Sequence, residues 1–219
     1  MKNAVIIVAA GSGKRFGSKI PKQFLKINGK PMFLWSVETF SSIKSFKQIV
    51  VVVPGNMVKT ISLKCKLRFE CVAGGKRRVD SVKNGLAMIK EGIDFVAIHD
   101  AARPLVFKKD IMSVLCEAEK TKAAIAVEKV KDTIKLISNK EKILKTLDRS
   151  YLRNAQTPQI FDAKILKKAY SKTKLTNITD DSELVENLGI KVSVVEASAM
   201  NFKITTKKDF LLAEKLLKL

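Results

Sequence analysis

Gly11, Gly13 and Gly17 stand close together after an apolar run. Lys14 and Arg15 lie among them, and Lys22 follows in Pro21-Lys22-Gln23-Phe24-Leu25. A chain that ends a strand in small residues and glycines exposes backbone N–H groups to which an anion can come close. Two familiar phosphate-loop patterns do not fit. A Walker A loop needs GxxxxGK followed by Ser or Thr, but Arg15 follows Lys14 and Val8 stands five before Gly13. The dinucleotide pattern GxGxxG meets Phe16 at its third position, with the glycine one later at Gly17. What remains is a backbone cradle with two nearby cations, Arg15 and Lys22. That suits a triphosphate, because the cations would neutralise charge that builds at a phosphorus under attack. Taken singly, a Gly-rich turn can serve backbone geometry alone, and Lys22 is one lysine among 35.

Two further blocks carry chemistry. Gly74-Gly75-Lys76-Arg77-Arg78-Val79-Asp80-Ser81-Val82 joins a pair of glycines to a helix start, a turn that can set backbone groups against the edge of a base. His99-Asp100-Ala101-Ala102-Arg103-Pro104 follows an apolar strand. An aspartate at a strand's end can hold a divalent metal or a substrate hydroxyl, and two alanines leave room for a sugar. His99 is the single histidine. It reads as structural, because a phosphate nucleophile is already an anion and needs no base.

The elements that position these blocks alternate. Strands are expected at Ala4–Val8, Gln48–Val53, Phe69–Val72, Asp94–Ile98, Ala123–Val127, Lys191–Glu196 and Phe202–Thr205. Helices are expected at Met32–Phe40, Asp80–Lys90, Ile111–Lys120, Ala163–Lys172, Asp181–Leu188 and Lys207–Leu217, with Asp180 or Asp181 as a cap. Near-continuous apolar strands between helices imply an α/β fold: a Rossmann-like, mostly parallel twisted sheet with helices on both faces. The glycine loop and Asp100 then fall at the strands' C-terminal edge, where open α/β sheets bind ligands. Residues 129–148 alternate charge with isoleucine and leucine around Ser138-Asn139-Lys140-Glu141. They read as a projecting β-hairpin arm that packs on a second subunit, since an isolated two-stranded arm is rarely stable. Residues 1–219 read as a single domain.

Composition narrows the class. The chain has 219 residues, 46% apolar and 29% charged, which fits a globular domain. No apolar run reaches the roughly 18 residues of a membrane span. Its first apolar stretch reads as a strand and not a targeting segment. Cys65, Cys71 and Cys116 form no metal-binding spacing and read as reduced thiols of a cytoplasmic protein. The net charge of +21 permits nucleic-acid binding. But 35 lysines against 7 arginines are scattered over every segment, with no basic tail and no stacking motif. The charge reads as solvated faces that also draw an anionic substrate toward a cleft, with no nucleic-acid or membrane partner.

In order, AAGSGKRFG, PKQFL, GGKRRVDSV, HDAARP, KDT, LDR, AQTPQIF, ITDDSE and NFKIT resemble the motifs of the 2-C-methyl-D-erythritol 4-phosphate cytidylyltransferases from end to end. The resemblance implies that CTP and 2-C-methyl-D-erythritol 4-phosphate are joined with release of pyrophosphate. It implies that Arg15, Lys22 and Lys203 act on the phosphates, with Mg²⁺ holding the triphosphate. It further implies that Ala9, Ala10, Gly11, Gly75, Lys76, Ser81 and Ala101 line the cytidine pocket. Asp100, Arg103, Thr133, Arg149 and Thr157 would hold the methylerythritol phosphate. In the family the arginine matching Arg149 comes from the other subunit's arm, which implies a homodimer. One departure is visible: the position of Lys76 is often acidic in the family. The competing readings are a ribitol 5-phosphate or other pentitol phosphate cytidylyltransferase, a transferase of another nucleotide to a sugar phosphate, and a basic nucleic-acid-binding protein.

Overall fold

The computed structural model describes residues 1–11, 16, 20–64, 69–172 and 178–218. Chain order begins with β1 (Asn3–Val8), a 3-10 turn at Lys22–Phe24, then β2 (Lys26–Ile27), β3 (Lys30–Pro31) and α1 (Met32–Ser41). It continues through β4 (Phe46–Val53), α2 (Val58–Lys64), β5 (Glu70–Ala73), α3 (Arg78–Ala87), β6 (Phe95–Asp100) and α4 (Lys108–Thr121). The second half holds β7 (Ala123–Lys129), β8 (Lys135–Ile137), β9 (Ile143–Thr146), β10 (Arg153–Asp162), α5 (Ala163–Lys172), α6 (Asp181–Glu186), β11 (Ser193–Glu196) and α7 (Lys207–Leu216).

The main sheet has seven strands in the order β11-β7-β10-β6-β1-β4-β5. Alternation along each strand builds two cores. In β1, Val5 and Ile7 point to the face covered by α1 and α4, where Val37, Phe40, Ile111, Val114 and Leu115 close the packing. Ala4 and Ile6 point to the face covered by α3, α5 and α6, against Val82, Leu86, Leu166, Leu184 and Val185. This is the expected α/β class with helices on both faces. A third cluster, with Phe16, Ile27, Met32, Leu105, Ile204 and Ala213, ties α7 and the β2–β3 ribbon to the sheet's functional edge.

Several elements differ from the sequence expectation, among them α2 and the β2–β3 ribbon, which were not expected. β10 runs antiparallel to both β6 and β7, so the sheet is mixed. Its sequence, RNAQTPQIFD, is too polar and too interrupted by Pro158 to read as a central strand, yet Gln156–Phe161 are buried. Pro158 falls where the register against β7 skips, between Ala155 and Gln159. The segment Phe202–Thr205 is not a strand: Ile204 N donates to Ala102 O at 2.8 Å, but no ladder extends from that bond. Helix α3 starts at Arg78 rather than Asp80, because the Asp80 carboxylate accepts from Arg77 N at 3.1 Å and sets the start there. Residues of β8 and β9 pair antiparallel, with every residue of both strands exposed. Among the described residues, no helix is long and apolar enough to cross a membrane.

Candidate functional site

A cleft of about 430 Å³ opens at the C-terminal ends of β1 and β6. β1 delivers Ala10 and Gly11 to one wall. Gln23, in the 3-10 turn, donates its side-chain amide to Ala9 O and Gly11 O, at 2.6 Å each. These bonds tie the 3-10 turn to the end of β1. Phe16, Lys22 and Gln23 also line the cleft. The Lys22 ammonium donates to Ile204 O at 2.5 Å, which ties the loop to the segment after Asn201. Arg15, expected beside it, lies outside the described residues.

The opposite wall is the turn before α3. A Cβ on Gly74 would lie 2.2 Å from Ala10 Cβ, and one on Gly75 would lie 2.4 Å from Asp80 Cβ, so both positions need glycine for close approach. Ser81 Oγ accepts from Gly75 N and donates to Arg77 O, both at 3.1 Å. Gly75, Lys76 and Ser81 all line the cleft. Ala9 is buried behind the wall, held through Ala9 N to Val52 O at 2.7 Å. Ala101 is likewise buried, its N–H donating to Val8 O at 3.1 Å. Ala102 is the alanine that faces the cleft.

Asp100, at the end of β6, is the electrostatic centre. Arg78 Nε lies 3.2 Å from Oδ1 and Lys203 Nζ 2.6 Å from Oδ2. Burial raises the cost of ionising this carboxyl. The Arg78, Lys203 and Arg103 cations more than offset it and hold its pKa well below the usual carboxylate range. Thr157 is buried beneath it, with Oγ1 accepting from Asp100 N at 3.0 Å. Arg103 is buried too, donating through Nη1 to Asn201 O at 2.7 Å. Both residues brace the strand end and neither lines the cleft. Thr133 is exposed, and Arg149 lines a separate hollow with Lys131 and Glu196 near the foot of the hairpin. Within one chain, neither joins the cleft.

His99 is fully buried. Its Nε2 lies 3.1 Å from Arg103 O, and its Nδ1 3.1 Å from Thr157 Oγ1. A carbonyl only accepts, so Nε2 carries the proton and Nδ1 accepts from the threonine hydroxyl. Burial lowers its pKa to about 4, so it is neutral and structural at neutral pH.

Arg78 was not among the residues expected at the site. It lines the cleft and pairs with Asp181 as well as Asp100. Arg78 stands one helical turn before Ser81, on the same face, a relation that shows only once α3 is seen to start at Arg78. Among the described residues, no group of three or more His, Cys, Asp or Glu side chains could hold a metal. Both Asp100 oxygens are already engaged by cations. The arrangement fits an anion held by backbone and lysines, not a protein-built metal cage.

The sequence model of a family described as "IspD: 2-C-methyl-D-erythritol 4-phosphate cytidylyltransferase" matches residues 3–219. A protein of that name from Endomicrobium trichonymphae is 66% identical over 218 residues, covering all of both chains. One from Caldanaerobacter subterraneus subsp. tengcongensis is 39% identical, over 98% of each. Among solved structures, 4-diphosphocytidyl-2C-methyl-D-erythritol synthase from Anaerococcus prevotii superposes with a TM-score of 0.86 at 30% identity, covering 100% of this chain and 99% of that one.

Proposed function

The chain belongs to the 2-C-methyl-D-erythritol 4-phosphate cytidylyltransferase family, and from that membership we propose how its own residues serve the reaction. It is a nucleotidyltransferase that joins CTP and 2-C-methyl-D-erythritol 4-phosphate into 4-diphosphocytidyl-2-C-methyl-D-erythritol and diphosphate, a step of non-mevalonate isoprenoid synthesis. A phosphate oxygen of the acceptor attacks the α-phosphorus of CTP, and the bond to the diphosphate breaks on the opposite side. Such a transfer needs positioning and charge stabilisation rather than a protein nucleophile.

The observation that carries the assignment of roles is that Lys22 and Lys203 line one cleft together with the glycine turns at Gly11 and Gly75. In this reading the cytidine lies between Ala10-Gly11 and Gly75-Lys76, with Ser81 fixing the turn. Lys76 acts there through its backbone. Lys22, Lys203 and Arg15 stabilise the charge that builds on the phosphates. Asp100 receives the acceptor's hydroxyls, while Arg103 and Thr157 hold Asp100 in place. Thr133 and Arg149 reach the acceptor from the arm of a second copy in a homodimer. Mg²⁺ entering with the triphosphate would offset its charge, and Asp100, a carboxylate lining the cleft, is the side chain that would face it. The enzyme works in the cytoplasm.

The test is pyrophosphate release with CTP and Mg²⁺, run with 2-C-methyl-D-erythritol 4-phosphate and with ribitol 5-phosphate in parallel. Release with the first alone is expected. Release with the second alone would show the acceptor pocket to be misread.

A further inference from the structure

The ion pair at Asp100 continues away from the cleft. Arg78 joins Asp100 through Nε and Asp181 through Nη2, the latter at 2.7 Å. Asp181 is 1% exposed, and its other oxygen accepts the Tyr170 hydroxyl. Its backbone N–H donates to Gln159 Oε1 at 3.1 Å. The result is an alternating chain, Lys203–Asp100–Arg78–Asp181–Tyr170, that runs from the acceptor side of the cleft into the packing between α5 and α6. Asp181 and Tyr170 are both buried and neither lines the cleft.

We propose that Arg78, restrained by Asp181, is a positioning residue for the acceptor side of the reaction. The proposal rests on the reading that Asp100 receives the acceptor. Lys203 alone is a flexible point charge and would let the Asp100 carboxylate turn about its side-chain bonds. The Arg78 guanidinium engages the second oxygen and fixes the carboxylate plane. Arg78 can do this only while something holds it, because an arriving triphosphate offers it a stronger anion in the same cleft. Asp181 supplies that hold: a buried carboxylate, itself pinned by a hydroxyl, sits on the far side of the guanidinium from the cleft. Replacing it frees Arg78 to swing toward the nucleotide and leaves Asp100 loose. The damage then falls on the acceptor and not on CTP.

The experiment measures steady-state kinetics for both substrates and the thermal midpoint in Asp181→Asn and Tyr170→Phe, and repeats Asp181→Asn in an Asp100→Asn background. Asp181→Asn is expected to raise KM for 2-C-methyl-D-erythritol 4-phosphate about tenfold while KM for CTP stays within about twofold. Tyr170→Phe moves acceptor KM in the same direction by less, and carries the test if Asp181→Asn does not fold. With Asp100 already neutralised, Asp181→Asn adds no further rise, since residues acting through one another are not additive. An additive effect would overturn the proposal. So would an Asp181→Asn enzyme that loses stability and kcat with both KM values moving together, or one whose acceptor KM matches wild type. Absence of pyrophosphate release from the wild-type enzyme would instead remove the functional reading on which the proposal rests.

Discussion

The two lysines that line the cleft both have protein partners, of different kinds. Lys203 neutralises a buried carboxylate, whereas the Lys22 ammonium donates to the neutral Ile204 carbonyl. Lys22→Ala is expected to lower kcat about 10²- to 10³-fold with little change in thermal midpoint, as for loss of one transition-state donor. A kcat close to wild type in a pyrophosphate assay would take Lys22 out of the transition state. His99 gives a stability prediction instead. Its pKa falls from 6.5 to about 4 on folding, because burial disfavours the charged ring. The unfolded chain therefore binds more protons between these values. Stability is full above the unfolded value and is lost as pH falls through 6.5 toward 4, by up to about 3 kcal/mol. Denaturant midpoints between pH 7.5 and 4.5 would show the fall, and His99→Gln would flatten it. Asp100 contributes no slope in this window, since its folded pKa lies below the ordinary carboxylate range and its stabilisation is lost only at lower pH. Lys22, Ser81 and Asp100 were singled out in the sequence by the glycine-rich or charged blocks they stand in, whereas Lys203 entered only through the family resemblance. Arg78 was not singled out: it is one of 42 basic residues, and its partner Asp181 is brought to it only by the fold.

The turn before α3 shows how an element transmits shape to the site. Gly75 packs against the first turn of its own helix, where an added Cβ would meet Asp80 Cβ at 2.4 Å and the Asp80 carbonyl carbon at 3.2 Å. The helix start cannot yield without breaking the bonds from Arg77 to Asp80 and from Gly75 N to Ser81 Oγ. Gly75→Ala is expected to destabilise by about 1–3 kcal/mol and to raise KM for CTP more than KM for the acceptor. Gly55→Ala, whose Cβ would meet only Ala73 Cβ at 3.8 Å, serves as the near-neutral comparison. Equal thermal midpoints for the two variants would show that the turn adapts. Most elements were readable because apolar runs and helical spacing coincide with burial in β1, β4, β6, α1 and α4. β10 was not, for a functional reason. Its buried Gln156, Thr157 and Gln159 are the polar wiring that holds Asn201, Asp100 and α6, and a polar core strand carries no periodic signature.

At the scale of the whole molecule, the hairpin raises the question of what it packs on. Ile143 and Leu144 are 65% and 63% exposed, and Leu136 and Ile137 are exposed on the facing strand. Two strands with apolar side chains in water are marginal alone, which motivates a test of whether they pack on a second copy. The sequence pattern pointed to the same segment. It could not show that Thr133 and Arg149 stand apart from the cleft of their own chain, the observation from which a role for a second copy is proposed. Replacing both Ile143 and Leu144 by lysine is expected to shift sedimentation from a dimer to a single 24.3-kDa chain and to abolish most pyrophosphate release. A stronger test uses two inactive parents. If each site takes Lys22 from one chain and Arg149 from the other, Lys22→Ala and Arg149→Ala homodimers are both impaired. Exchanging their subunits creates a mixed dimer with one doubly defective site and one fully intact site. Random exchange of equal amounts makes half of all dimers mixed. The mixture should then recover about a quarter of wild-type activity per chain under the two-fold symmetry of such a dimer. If instead Arg149 serves the cleft of its own chain, every site in the mixed dimer keeps one defect, and mixing restores nothing.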